Sequence, residues 1–127
     1  MALVLDAGAV SFLAGRSFRA AALIEALRQE GLWPPVVPTP VLVECLQGDP
    51  GRDAPTNRLL KSCDVLERVD ERVARRAARL RSRSGRGSAV DALVVAVAEP
   101  GGSVLTTDLG DLRALAACAA DVTVEGL

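Results

Sequence analysis

The chain has 127 residues, half of them hydrophobic and 24% charged, with a formal net charge of -1 and no histidine. That length suits one core without room for a second, so residues 1–127 are expected to form a single domain. The near-zero charge excludes coating a nucleic acid by bulk electrostatics, and the missing histidine excludes imidazole ligands, Ser-His-Asp triads and histidine acid–base catalysis.

Ala2 to Leu5, ALVL, is a short continuous apolar run closed by Asp6 and Gly8, which predicts a strand buried on both faces. Phe18 to Arg28 follows a helical period, with Phe18, Ala21, Ala22, Leu23, Ile24 and Leu27 on a broad apolar face and Gly31 beyond its end. Pro35 to Pro38 predicts a second strand bounded by prolines. Thr39-Pro40 predicts an N-cap followed by proline at N1, opening a helix over VLVECLQG that stops at Gly48. Glu44 falls past the capping positions of that helix, so no cap explains it. Asp49 to Pro55 predicts a turn-rich loop, Asn57 to Lys61 a short helical piece, and Ser62 to Arg68 contains a third strand.

Asp70 to Arg81 predicts an amphipathic helix, with Val69, Val73, Ala77 and Leu80 on one stripe and Arg72, Arg75, Arg76 and Arg79 opposite. RSRSGRG, Arg81 to Gly87, predicts a flexible basic loop, suited either to solvation or to phosphate contact. Ser88 to Glu99 is apolar on every side of a helical wheel apart from Asp91, so this helix must be enclosed by protein. A local explanation for Asp91 exists, a capping box with Ser88 at the positive helix end. Ser103 to Thr107 predicts a fourth strand ending at Asp108, Leu109 to Ala120 a helix, and Val122 to Val124 a last strand.

Strands alternating with helices predict an α/β sandwich around a mainly parallel sheet, with ligands beyond the carboxyl ends of the strands. Asp6, Asp91 and Asp108 are expected at that end, with Glu44 on the helix after the second strand. Two carboxylates about 4 Å apart repel by roughly 4 kcal/mol at an effective dielectric near 20, so a cluster needs a cation. Fourteen arginines and one lysine, Lys61, are present, yet none stands beside these acids in the sequence. Oxygen-only donors select a hard ion such as Mg²⁺, with Mn²⁺ as a substitute, and clustered acids with such an ion suit phosphodiester hydrolysis.

Cys45, Cys63 and Cys118 are odd in number and lack CxxC spacing, which argues against a disulfide framework or a thiolate metal site and suits a reducing cytoplasm. The N-terminus does not read as a secretory signal, and no apolar run approaches the roughly 18 residues that span a bilayer, so no membrane association is expected.

In order along the chain, LVLDAGAV, VPTPVLVE, VDALVVAVA and VLTTDLGDL closely resemble the motifs of PIN-domain nucleases, specifically the VapC-type toxins of bacterial toxin-antitoxin pairs. The resemblance runs from Ala2 to Leu115 and implies a three-layer, PIN-like fold. It further implies a metal-dependent endoribonuclease that cuts RNA and slows translation, usually as a homodimer and neutralised by an antitoxin. The family's acidic tetrad carries over as Asp6, Glu44, Asp91 and Asp108. Asp6, Asp91 and Asp108 would take metal, Glu44 would orient water, and Thr106 stands as the small polar residue before the last acid, with Asp111 nearby. Many relatives carry a hydroxyl or amide shortly after the first acid, whereas this chain has Ala7 and Gly8. The competing expectation is a PIN-like binding module without catalysis that docks a protein partner. Phe12, Leu13, Leu23, Ile24 and Leu27 are expected mainly in the interior.

Overall fold

The structure, a computed structural model, describes residues 2–127. Its short apolar runs become strands β1 (Leu3–Leu5), β2 (Val36–Pro38), β3 (Asp64–Leu66), β4 (Ser103–Thr106) and β5 (Thr123–Gly126). Every pairing is parallel, in the order β3-β2-β1-β4-β5, so the expected mainly parallel sheet is wholly parallel. Val4 pairs with Val36 on one side and Val104 on the other, which makes β1 the central strand. Val4, Leu5, Val37 and Val104 are fully buried, as a sheet covered on both faces requires.

Two helical layers cover it. Helices α1 (Ala7–Ala14), α2 (Phe18–Gln29), α3 (Thr39–Cys45) and α4 (Pro50–Leu60) pack together, while α5 (Glu71–Ser84), α6 (Ala89–Ala98) and α7 (Leu109–Ala117) form a second group. Right-handed crossovers produce this division: connections running outward from β1 through β2 lie on one face, and those carrying the chain back to β4 and β5 lie on the other. Leu13, Val10 and Val41 fill one interlayer space, and Leu80, Val94, Val95, Leu112 and Leu115 the other. Among the described residues no helix is long and apolar enough to cross a membrane.

Several boundaries differ from the sequence expectation. Helix α1 was not predicted at all, because AGAVSFLA lacks the polar face that makes a helical period readable. Pro38, rather than Thr39, is the cap of α3, and it makes no side-chain cap bond. That helix stops at Cys45, short of Gly48, because the buried Asp53 carboxylate gathers the N–H groups of Gln47, Gly48 and Asp49 at 2.8, 2.9 and 3.2 Å. The expected loop from Asp49 to Pro55 is instead the first half of α4: Asp49 caps it through Gly51 and Arg52, and Pro50 begins it.

The basic loop is shorter than predicted, since α5 continues to Ser84 and ends on Gly85 in the left-handed region at φ 66°. Arg83 therefore joins Arg81 in that helix. Helix α7 ends at Ala117, short of the predicted Ala120. Leu13 and Leu27 are interior, whereas Phe12, Leu23 and Ile24 are half-buried. Trp33, the sole tryptophan, lies under the Arg28 guanidinium with 5.4 Å from Cζ to the ring centroid, and its buried Nε1 has no hydrogen-bond partner among the described residues.

Candidate active site

The chain builds outward from β1 through β2 to β3, then returns to place β4 on the other side of β1. The winding therefore reverses between β1 and β4, and an open α/β sheet has its ligand crevice beyond the carboxyl ends at such a reversal. Asp6 follows β1 there, and Thr106 ends β4 with Asp108 two residues on.

Asp6 caps α1 by accepting the Ala9 N–H at 2.8 Å through Oδ1. Its Oδ2 accepts the hydroxyl of Thr106, a fully buried residue whose oxygen also accepts the Asp108 N–H at 2.9 Å. That threonine therefore ties the end of β4 to the first acid. Burial raises the Asp6 carboxyl above its ordinary range, the Thr106 and Ala9 hydrogen bonds oppose the rise, and the charges of Asp91 and Asp108 add to it. Two of the other predicted acids, Asp91 and Asp108, thus lie close enough for their charges to act on Asp6.

Asp91 does form the capping box with Ser88, whose Oγ accepts the Asp91 N–H at 3.0 Å while Asp91 Oδ2 accepts the Ser88 N–H at 3.1 Å. The local explanation holds for this residue, and its charge also reaches Asp6. Asp108 caps α7 through Oδ1 on the Gly110 N–H at 3.3 Å. Glu44 is exposed on α3, and its charge bears on Cys45 rather than on Asp6.

No ion pair reaches these acids among the described residues, yet a cation stands near them. Arg86, from the loop before α6, pairs with Asp111 at 3.1 Å, and a Cβ placed on Gly110 would lie 3.8 Å from both its Nη2 and Asp108 Oδ1. A guanidinium therefore stands at the rim, far from the acids in sequence but close in space. The RSRSGRG motif was the signal for it.

The donor chemistry suits a hard divalent ion, although the acids are not gathered into a ready cage. Among the described residues no three His, Cys, Asp or Glu side chains are grouped to hold a metal. Asp91 Oδ1 and Asp108 Oδ2, however, make no hydrogen bond among the described residues, and the three like charges lack a cation in contact. Free carboxylate oxygens with mutual repulsion are what a hard cation relieves.

Thr107 was missed by sequence reasoning. A Cβ built on Gly8 would collide with its Oγ1 and stand 3.6 Å from Asp6 Oδ1. The Thr107 hydroxyl therefore occupies the space a side chain at position 8 would take, beside the first acid.

The PIN domain family model matches residues 3–117. The chain belongs to the PIN domain family. Among curated proteins none matches its sequence significantly. This PIN domain is similar to solved structures at low sequence identity. VapBC2 from Rickettsia felis bound to a DNA fragment from their promoter aligns at TM-score 0.75 and 10% identity, over 100% of this chain and 99% of that one. PAE2754 from Pyrobaculum aerophilum aligns at 0.63 and 20%, over 98% and 90%. FitAcB from Neisseria gonorrhoeae aligns at 0.63 and 22%, over 96% and 95%.

Proposed function

We propose that this PIN domain is a metal-dependent endoribonuclease, the toxin of a VapC-like pair, acting in the cytoplasm and held in check by an antitoxin. The observation that carries the reading is Asp6: a half-buried carboxylate at the sheet's reversal point, made harder to ionise by burial and by Asp91 and Asp108. Asp6, Asp91 and Asp108 would hold Mg²⁺ or Mn²⁺, which when bound supplies charge to balance a phosphodiester under attack and acidifies water.

Thr106 keeps Asp6 aimed into the crevice, since its single proton is given to that carboxylate. Arg86 at the rim draws the phosphate backbone toward a site that would otherwise repel it. Glu44, exposed on α3, would orient water, and the Thr107 hydroxyl offers a further polar contact near Asp6.

A protein partner is supported by the likeness to VapBC2 and FitAcB and by a groove of about 350 Å³ between α1 and α2. Leu13, Ala21 and Ile24 line it, Arg16 and Glu25 flank it, and Phe18 beside it is 97% exposed. An amphipathic antitoxin helix suits such a groove, and a homodimer is part of the same reading.

The deciding experiment is cleavage of single-stranded RNA with Mg²⁺ or Mn²⁺ by the wild type, Asp6→Asn and Asp91→Asn. Both substitutions are expected to lower cleavage by at least about 10²-fold, as loss of a metal-orienting group does, and to relieve growth arrest on expression. Undiminished cleavage in both would overturn the assignment. The capped, ungathered acids favour one second reading, a non-catalytic PIN module, which would bind its partner yet leave RNA intact with either metal.

A further inference from the structure

Arg72, Arg76 and Arg79 recur at helical spacing on α5 and share one face. With Val73 they wall a cavity of about 360 Å³, closed by Ala96, Glu99 and Pro100 at the end of α6 and by Ala120 after α7. This cavity opens near the amino ends of β4 and β5, opposite the acids.

Its floor is locked. Arg76 grips Glu99 through Nε and Nη2 at 2.7 Å each, and Glu99 Oε2 also accepts the Ala120 N–H at 2.7 Å. Arg72 and Arg79 are exposed and make no ion pair among the described residues. Three guanidiniums against one carboxylate leave the cavity with two uncompensated positive charges. Arg75 is what a merely solvated helix face looks like: it pairs with Glu71 at 2.7 Å, with both side chains more than 70% exposed. Arg72 and Arg79 instead flank a concavity whose only acid is already saturated by donors.

We propose that this cavity is a phosphate exosite, in which a backbone phosphate of the RNA strand sits between Arg72 and Arg79 while another part of the strand lies at the acids. This inference rests on the ribonuclease reading. Helix α6 joins the two places: Asp91 and Glu99 are eight residues apart, about 12 Å at 1.5 Å per residue. That corresponds to about four nucleotides at roughly 3.4 Å per stacked nucleotide. Arg86 continues the positive charge from α5 to the rim of the acidic crevice.

The test is binding of a labelled 12-nucleotide single-stranded RNA by the full chain in EDTA, over a series of salt concentrations. Arg72→Gln with Arg79→Gln is expected to weaken binding at least tenfold at low salt and to reduce the slope of log K against log salt by about 1.4, two contacts at about 0.7 each. Arg72→Lys with Arg79→Lys should restore the slope, and Arg75→Gln should leave it unchanged. With metal, the glutamine pair should raise KM for this RNA and spare kcat. An unchanged slope and affinity overturn the exosite even if the wild type cleaves RNA. Inorganic phosphate competing at micromolar concentration also overturns it, assigning the cavity to a free small anion. Loss of binding in the glutamine pair without wild-type cleavage sinks the ribonuclease reading and keeps a nucleic-acid phosphate site.

Discussion

Thr106 shows how much one buried hydroxyl does in this molecule. It is fully buried, donates to Asp6 and accepts from the Asp108 amide, so Thr106→Val leaves two polar groups without their partner. The expected cost is about 1–3 kcal/mol of stability in a denaturant titration, together with a roughly 10–100-fold fall in metal-dependent cleavage. Cys63 illustrates the opposite, an inert half-buried group. Its thiol is pushed up to about 11 chiefly by burial, so it should resist alkylation at pH 8 in the folded protein and react freely once the protein is unfolded. At this scale Asp6, Asp91 and Asp108 were legible as candidates, since each follows a strand or opens a helix, whereas Glu44 sits exposed near the end of α3. Arg86 and Thr107 were not, because nothing in a linear reading says which loop folds against which carboxylate.

The helix termini explain both what was legible and what was missed among the elements. Ser88 and Asp91 announced α6 through a box the structure reproduces, and Ser88→Ala should cost about 1 kcal/mol in thermal unfolding. A different signature, an Asp49 cap followed by Pro50, marks α4, yet the Gly, Asp and Pro residues after it mimic a loop composition. Helix α1 stayed hidden for another reason: its sides are too uniformly apolar to show a period, and only Asp6 marks its start.

The α5–α6 contact carries a pH dependence of its own. The Arg76 hydrogen bonds, foremost, and the Ala120 amide hold the Glu99 carboxyl below its usual value of 4.5. Its stabilisation is therefore present above pH 4.5 and is lost as pH falls through the lower folded value. Glu99→Gln should remove that acid-side loss from melting curves while lowering the neutral-pH plateau, and an unchanged acid limb would refute this account.

For the molecule as a whole, parallel pairing and the reversal beside β1 concentrate unbalanced negative charge at one end of the sheet. A ligand that binds only the folded state raises its stability in proportion to occupancy. Millimolar Mg²⁺ or Mn²⁺ should therefore raise the melting temperature of the wild type, while Asp6→Asn should lose that response. The layered α/β architecture was readable from strand–helix alternation alone, because short apolar runs and crossover handedness leave few other arrangements. The cavity at the far end of α5 was not readable, since it needs Glu99 and Ala120 brought beneath an arginine stripe.

Trp33 gives this fold an optical label of its own. With no tyrosine in the chain, near-ultraviolet emission is dominated by this single indole, held under Arg28 where α2 passes toward β2. Its spectrum should shift to the red when that corner opens, following the α1–α2 side of the molecule without an introduced dye. Because the cavity walled by Arg72 and Arg79 belongs to the other helical layer, RNA seated there should leave the emission maximum in place.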